Sequence, residues 1–158
     1  MTPQASNRIV FVLALAGIGV AGYLTLAHMN VVGLGCTALR GCEEVAQHPT
    51  ANGFGLPWLQ AIPTAAFGLA AFGLLAALSV VRTVAEDPVA AGVCAVQIAV
   101  AVASVAVSAW LTYLEAFVIR AWCQWCIASA IITVLVLAAL LLPDRNRTPI
   151  SPGLSEDR

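Results

Sequence analysis

Four uninterrupted apolar runs, each long enough to cross a bilayer, decide what this chain folds into. A helix needs about 20 mostly apolar residues to traverse a hydrocarbon core of about 30 Å. Ile9 to Ala27 carries no charge, and Ile62 to Val81 is equally clean, with Pro63 suited to a first helical turn. Val89 to Tyr113 has Gln97 as its most polar member, and Ala121 to Leu142 runs charge-free to Pro143 and Asp144. Runs this long without alternation are helices, not barrel strands. The sequence therefore predicts an all-α integral membrane protein, a four-transmembrane-helix bundle. Residues 1–143 make the membrane domain, with spans at about 9–27, 62–81, 89–113 and 121–142, and residues 144–158 a polar tail.

Composition closes the other routes. The chain is 61% hydrophobic and 9% charged, against about 25% charged in soluble domains, which excludes a soluble globular enzyme. A formal net charge of −1 with this hydrophobicity is the reverse of a disordered chain. All seven basic residues are Arg, and with a pI near 6.0 they leave no stripe to neutralise phosphates, so no nucleic acid is expected as a partner. None of the four spans holds Asp, Glu, Lys or Arg, the marks of a transport pathway.

The arginines set the orientation. With the N-terminus inside, the inner segments hold Arg8, Arg82, Arg145, Arg147 and Arg158, and the outer ones only Arg40 and Arg120. Both termini are then cytoplasmic, in an inner or plasma membrane. Trp58, Trp110, Tyr113, Trp122 and Trp125 fall at the outer span ends, where amphipathic rings prefer the interface. A cleaved signal peptide at 1–27 is the rival reading. Its 19-residue apolar run is longer than an h-region of about 7–15 residues, and no A-x-A site follows.

The outer side carries the chemistry. His28 to Ala61 is a long loop holding Cys36, Cys42, Glu43, Glu44, His48 and Asn52-Gly-Phe-Gly55, and Leu114 to Arg120 is a short one. Cys123 and Cys126 form C-x-x-C at the outer end of the fourth span. At a helix start, free backbone N–H groups stabilise a thiolate, the attacking species in disulfide exchange. Arg120, three residues before Cys123, is placed to lower its pKa further. A redox relay, two structural disulfides and a four-cysteine zinc site are all open on spacing alone. C-x-x-C closes too small a ring to be an effective staple, and an oxidising exterior disfavours four free thiolates. Cys94 lies near the inner end of the third span and reads as a small packing side chain. His28 and His48 read as solvated or structural, and Glu43 and Glu44 as the start of a helical turn.

Taken in order, Cys36…Cys42, Val45, Gly53-Phe54-Gly55, Ile62-Pro-Thr-Ala-Ala-Phe-Gly68 and Cys123-Gln-Trp-Cys126 resemble the vitamin K epoxide reductase family, in its bacterial disulfide-forming branch. The likeness runs from the first span to about Leu142. In the other four-helix quinone-coupled family, that of DsbB, the order of the two cysteine pairs is reversed. The resemblance implies a bundle around a quinone (menaquinone, ubiquinone or phylloquinone type), capped by a partly helical outer loop. It implies a membrane thiol-disulfide oxidoreductase, or one reducing a vitamin K-type quinone or epoxide. Cys36 would meet a DsbA- or thioredoxin-like extracytoplasmic protein, Cys42 would pass electrons to Cys123, and Cys126 would face the quinone. Phe54, Trp58, Thr64 and Phe67 are the expected quinone contacts, and no metal is expected. Thr64 stands where vertebrate members carry an Asn that bonds the quinone, Ala130 where they carry a Tyr, and His48 where the family often has Ser or Thr. Only 16 residues follow Leu142, so the partner is expected to be a separate protein. A disulfide-stapled structural or assembly protein without turnover is the alternative.

Overall fold

The computed structural model describes residues 3–36 and 41–142; the tail expected at 144–158, and Arg40, lie outside them. Five α-helices form: α1 (Pro3–His28), α2 (Cys42–Gln47), α3 (Thr64–Val84), α4 (Asp87–Tyr113) and α5 (Gln124–Leu141). Among the described residues no strand forms beyond one isolated bridge between Asn52 and Pro63. Four of the helices are long and apolar enough to cross a membrane, so the chain is an all-α membrane bundle.

The bounds differ from the apolar runs where backbone chemistry intervenes. Pro63 is extended (ψ 137°) and caps α3 rather than joining its first turn. The connection from α3 to α4 shrinks to Ala85 and Glu86, because Pro88 fits the first turn of a helix already begun at Asp87. Residues 121–123 stay non-helical, and α5 starts only at Gln124. The largest departure is at Leu114–Ile119. The sequence predicts an outer loop there; the chain instead continues α4 as a π-helical turn. Arg120 in the left-handed region (φ 57°) ends it, and the N–H groups of Arg120 and Ala121 both donate to the Glu115 carbonyl.

In the bundle α1 packs against α3 and α5, and α4 closes the ring against the same two helices. The shared core is built from Val10, Ala14, Phe72, Leu75, Ala101 and Val136. Lipid is as apolar as these side chains, so close packing of small residues and interhelical hydrogen bonds hold such a bundle. The end opposite the cysteines supplies the second. Ser6 Oγ donates to the Ala139 carbonyl at 2.6 Å, and Asn7 Nδ2 donates to the Ser79 carbonyl at 2.8 Å. Fully buried Gln97 donates to Ser79 Oγ at 2.9 Å. Four helices are tied by this one polar cluster.

The long loop folds back onto the start of α3. Its second part makes two 3-10 turns, Pro49–Ala51 and Gly53–Gly55. His48 Nδ1 accepts the Thr50 backbone N–H at 3.4 Å, which caps the first turn, and lies 2.8 Å from the Thr50 hydroxyl. Gly53 has φ 54° and donates its N–H to the Ile62 carbonyl; a Cβ there would run into the Leu59 backbone, so only glycine fits. Thr64 Oγ1 donates to the Thr50 carbonyl at 2.7 Å and accepts the Phe54 N–H at 3.1 Å.

Candidate active site

The two cysteines of the long loop and the two of the C-x-x-C motif gather at one end of the bundle. Cys36 and Cys42 are joined as a disulfide with their Cα atoms 6.2 Å apart, while Cys123 and Cys126 are free. Both sides of the loop disulfide dock on the C-x-x-C segment. On one side Gly35 donates its N–H to the Tyr23 hydroxyl at 2.7 Å, and its carbonyl accepts the Trp125 indole N–H at 2.8 Å. The Tyr23 and Trp125 rings lie 4.8 Å apart, fixing α1 to α5. On the other side Gly41 lies flat against residues 121–122, where a Cβ would come within 2.7 Å of the Trp122 nitrogen. Glycine before Cys42 is what lets the loop approach so closely. Cys42 is buried, as is Cys123, whereas Cys36 is half-exposed.

Cys123 is the N-cap residue of α5, and its carbonyl accepts the Ile127 N–H. The Cys123 sulfur therefore faces free amides of the first turn. The neighbouring Cys126 thiol first, and then the backbone N–H groups of Cys126 and Trp125, favour its charged form and bring its pKa down to about 7. Burial and the Glu115 charge act against this lowering. Arg120 takes no part, which corrects the role its spacing suggested. It is exposed and spent on ending the π turn.

Cys126, one helical turn further in, opens onto an apolar cavity of about 370 Å³ bounded by the four long helices and the loop. Phe54, Thr64 and Phe67 line it, the two phenyl rings 5.2 Å apart. Trp58 does not; it is 80% exposed and stands in the outer aromatic fringe with Trp110, Tyr113 and Phe117. Ala130 also lines the cavity and brings no polar atom. The Thr64 hydroxyl faces the cavity with its proton already donated to Thr50. Cys94 is half-buried near the other end of α4 and outside the cavity lining.

Two further polar groups face the cavity: His28, which the sequence reads as solvated or structural, and Glu115, which the sequence does not single out. His28 Nδ1 donates to the Leu24 carbonyl at 2.8 Å, which leaves Nε2 a bare acceptor, and that atom is buried without a partner. Glu115 is 3% exposed, and its Oε2 accepts the Cys123 backbone N–H at 3.2 Å. Its carboxylate also neighbours the Cys126 thiol, and both line the cavity. The signal for Glu115 was a lone acid between Leu114 and Ala-Phe-Val-Ile119, an environment too apolar for a solvated loop. The signal for His28 was its position at the end of an otherwise charge-free span.

The residues present suit a flat, partly polar ring compound. The volume lies in the range of small-molecule pockets, mostly apolar with few polar atoms, and His28 Nε2 is an acceptor still without a donor. No group of three or more metal-ligating side chains assembles among the described residues. The sequence model of the vitamin K epoxide reductase family matches residues 8–141, which takes in the long helices and every cysteine discussed. No curated protein matches the chain.

Proposed function

The chain belongs to the vitamin K epoxide reductase family, and on that premise we propose that it carries electrons from an external protein dithiol, through two cysteine pairs, to a membrane quinone. The observation that supports this best is the docking of an oxidised pair, Cys36–Cys42, on a reduced pair whose inner member lines an apolar cavity. Cys36 is the half-exposed sulfur and meets the partner, a separate thioredoxin-like protein. Cys42 is the buried one and faces inward. Attack of the partner thiolate on Cys36 expels Cys42 as a thiolate, by ordinary exchange through a mixed disulfide. The partner's second thiolate frees Cys36, and Cys42 attacks Cys123 of the inner pair in its oxidised form, breaking the Cys123–Cys126 bond. When Cys36 and Cys42 re-form their bond, Cys123 departs as a thiolate, stabilised by the first-turn amides and the Cys126 thiol.

A bound quinone supplies the terminal two-electron acceptor. Phe54 and Phe67 would flank it, His28 Nε2 would accept a hydroxyl proton from its reduced form, and the loop and helices exclude water. The arginine asymmetry and the exposed outer aromatics support both termini on the cytoplasmic side with the cysteine pairs outside. The test is quinone-dependent oxidation of a dithiol by purified protein in detergent. A relay is reduced by mild dithiol and reoxidised by quinone. A staple that resists the dithiol would replace this reading with the structural one.

A further inference from the structure

Exchange at the inner pair has a proton to place. When Cys42 attacks Cys123, the Cys123–Cys126 bond breaks and Cys126 leaves as a thiolate inside an apolar cavity. When the pair is reoxidised, Cys126 must give a proton up again. Cys123 differs, because the Cys126 thiol and then the amides of the α5 first turn favour its charge. Around Cys126 the titratable groups are Cys123 at the start of α5, Glu115 on the π turn and His28 at the end of α1. His28 lines the cavity too, but Cys123 and Glu115 are the groups that act on the Cys126 thiol. Arg120, the nearest residue of opposite charge in sequence, is exposed.

We infer that Glu115 is the proton carrier of the inner pair, giving its carboxyl proton to the Cys126 thiolate as Cys42 attacks Cys123 and taking it back when Cys126 is oxidised. A general acid or base must come within hydrogen-bond reach of the proton it moves, and Glu115 lines the same cavity as Cys126 and is its charged neighbour. Its Oε2 accepts the Cys123 N–H at 3.2 Å, which holds the carboxylate beside the pair. The π turn is what aims it there, since an uninterrupted α4 would present residue 115 on another face. Such turns occur often at functional sites.

The step balances. The Cys42 thiolate and the Cys123–Cys126 disulfide become the Cys42–Cys123 disulfide and the Cys126 thiolate. The Glu115 acid and that thiolate then become the Glu115 carboxylate and the Cys126 thiol. The negative charge that Cys42 brings ends on the Glu115 carboxylate rather than on the Cys126 sulfur, and no second charge forms. The inference rests on the relay reading only in its direction of electron flow.

The test uses Glu115→Gln, whose amide oxygen still accepts the Cys123 N–H, and Glu115→Asp, which keeps an acid. Purified full-length protein with both pairs oxidised is reduced by dithiol without quinone, quenched with acid and mapped under non-reducing conditions. Glu115→Gln is expected to slow the transfer to the inner pair about a hundredfold, the low end of general acid–base assistance. Reduced Cys36 and Cys42 beside an intact Cys123–Cys126 disulfide should accumulate, and the pH dependence of the transfer should flatten. Glu115→Asp should recover a measurable part of both rate and pH dependence. Wild-type transfer in Glu115→Gln, or equal slowing in both variants, would overturn the inference, the second by showing a purely positional role. With no quinone in the assay, these outcomes are separate from whether quinone is the acceptor.

Discussion

Trp125, lying between the two cysteines of the C-x-x-C motif, donates its indole N–H to the carbonyl of Gly35, the residue before Cys36, at 2.8 Å. One hydrogen bond thus ties the outer pair to the inner pair. Replacing Trp125 with Phe keeps a ring beside Tyr23 and removes only the donor. A neutral hydrogen bond contributes about 0.5–1.5 kcal/mol, so transfer between the pairs should slow about two- to tenfold. Reduction of Cys36–Cys42 by external dithiol should be unaffected. Alkylation of each pair over time, read by mass mapping, separates the two steps.

The Cys123 thiol, with its pKa brought down to about 7, should carry a pH signature. Above that value it is a thiolate, and the nucleophilic fraction is lost as the pH falls through it. Ultraviolet thiolate absorbance of the reduced protein should show this midpoint. In Cys126→Ala the leading cause of the shift is gone, and the midpoint should rise toward the ordinary thiol value of about 8.5. An unchanged midpoint in that variant would assign the lowering to the helix amides alone.

His28 offers the cavity its unpartnered acceptor. His28→Phe should raise the KM for quinone about fivefold or more, the scale of one buried hydrogen bond, without altering transfer between the cysteine pairs. Steady-state titration with quinone, set beside single-turnover exchange, checks both halves of the statement.

The cysteines also report topology. An impermeant maleimide on intact cells treated with reductant should label Cys36 or Cys42, and Cys94 only after permeabilisation. Cys94→Ser should retain most activity, because that side chain lies outside the cavity lining. Labelling of Cys94 alone would invert the orientation.

Much of this was legible before any coordinates. Four spans follow from run length, and the membrane class from composition, because the hydrocarbon core imposes both. What escaped depends on backbone register. Glu115 reads as a loop acid until a π turn rotates it inward, and no spacing rule announces an inserted residue. Thr64 was expected as a quinone contact on its position alone; only the loop fold shows that its hydroxyl proton is committed to Thr50. Trp58 and Phe54 are both aromatic residues of one apolar stretch. The positive φ of Phe54 turns one toward Phe67, and the other remains at the surface.

The polar cluster at the far end of the bundle bears on how the protein is made. Ser6 and Asn7 leave the ribosome first, yet their acceptors lie far later in the chain, at Ala139 and Ser79. The first helix must therefore enter the bilayer with an unanswered amide and hydroxyl. The Asn7 amide is relieved when the second long helix arrives, the Ser6 hydroxyl only when the last does. Translation order thus becomes assembly order: a two-helix hairpin forms early and the helix bearing Cys123 and Cys126 docks last. Cys123 and Cys126 then meet the loop that carries Cys36 and Cys42 only once the whole bundle is in place.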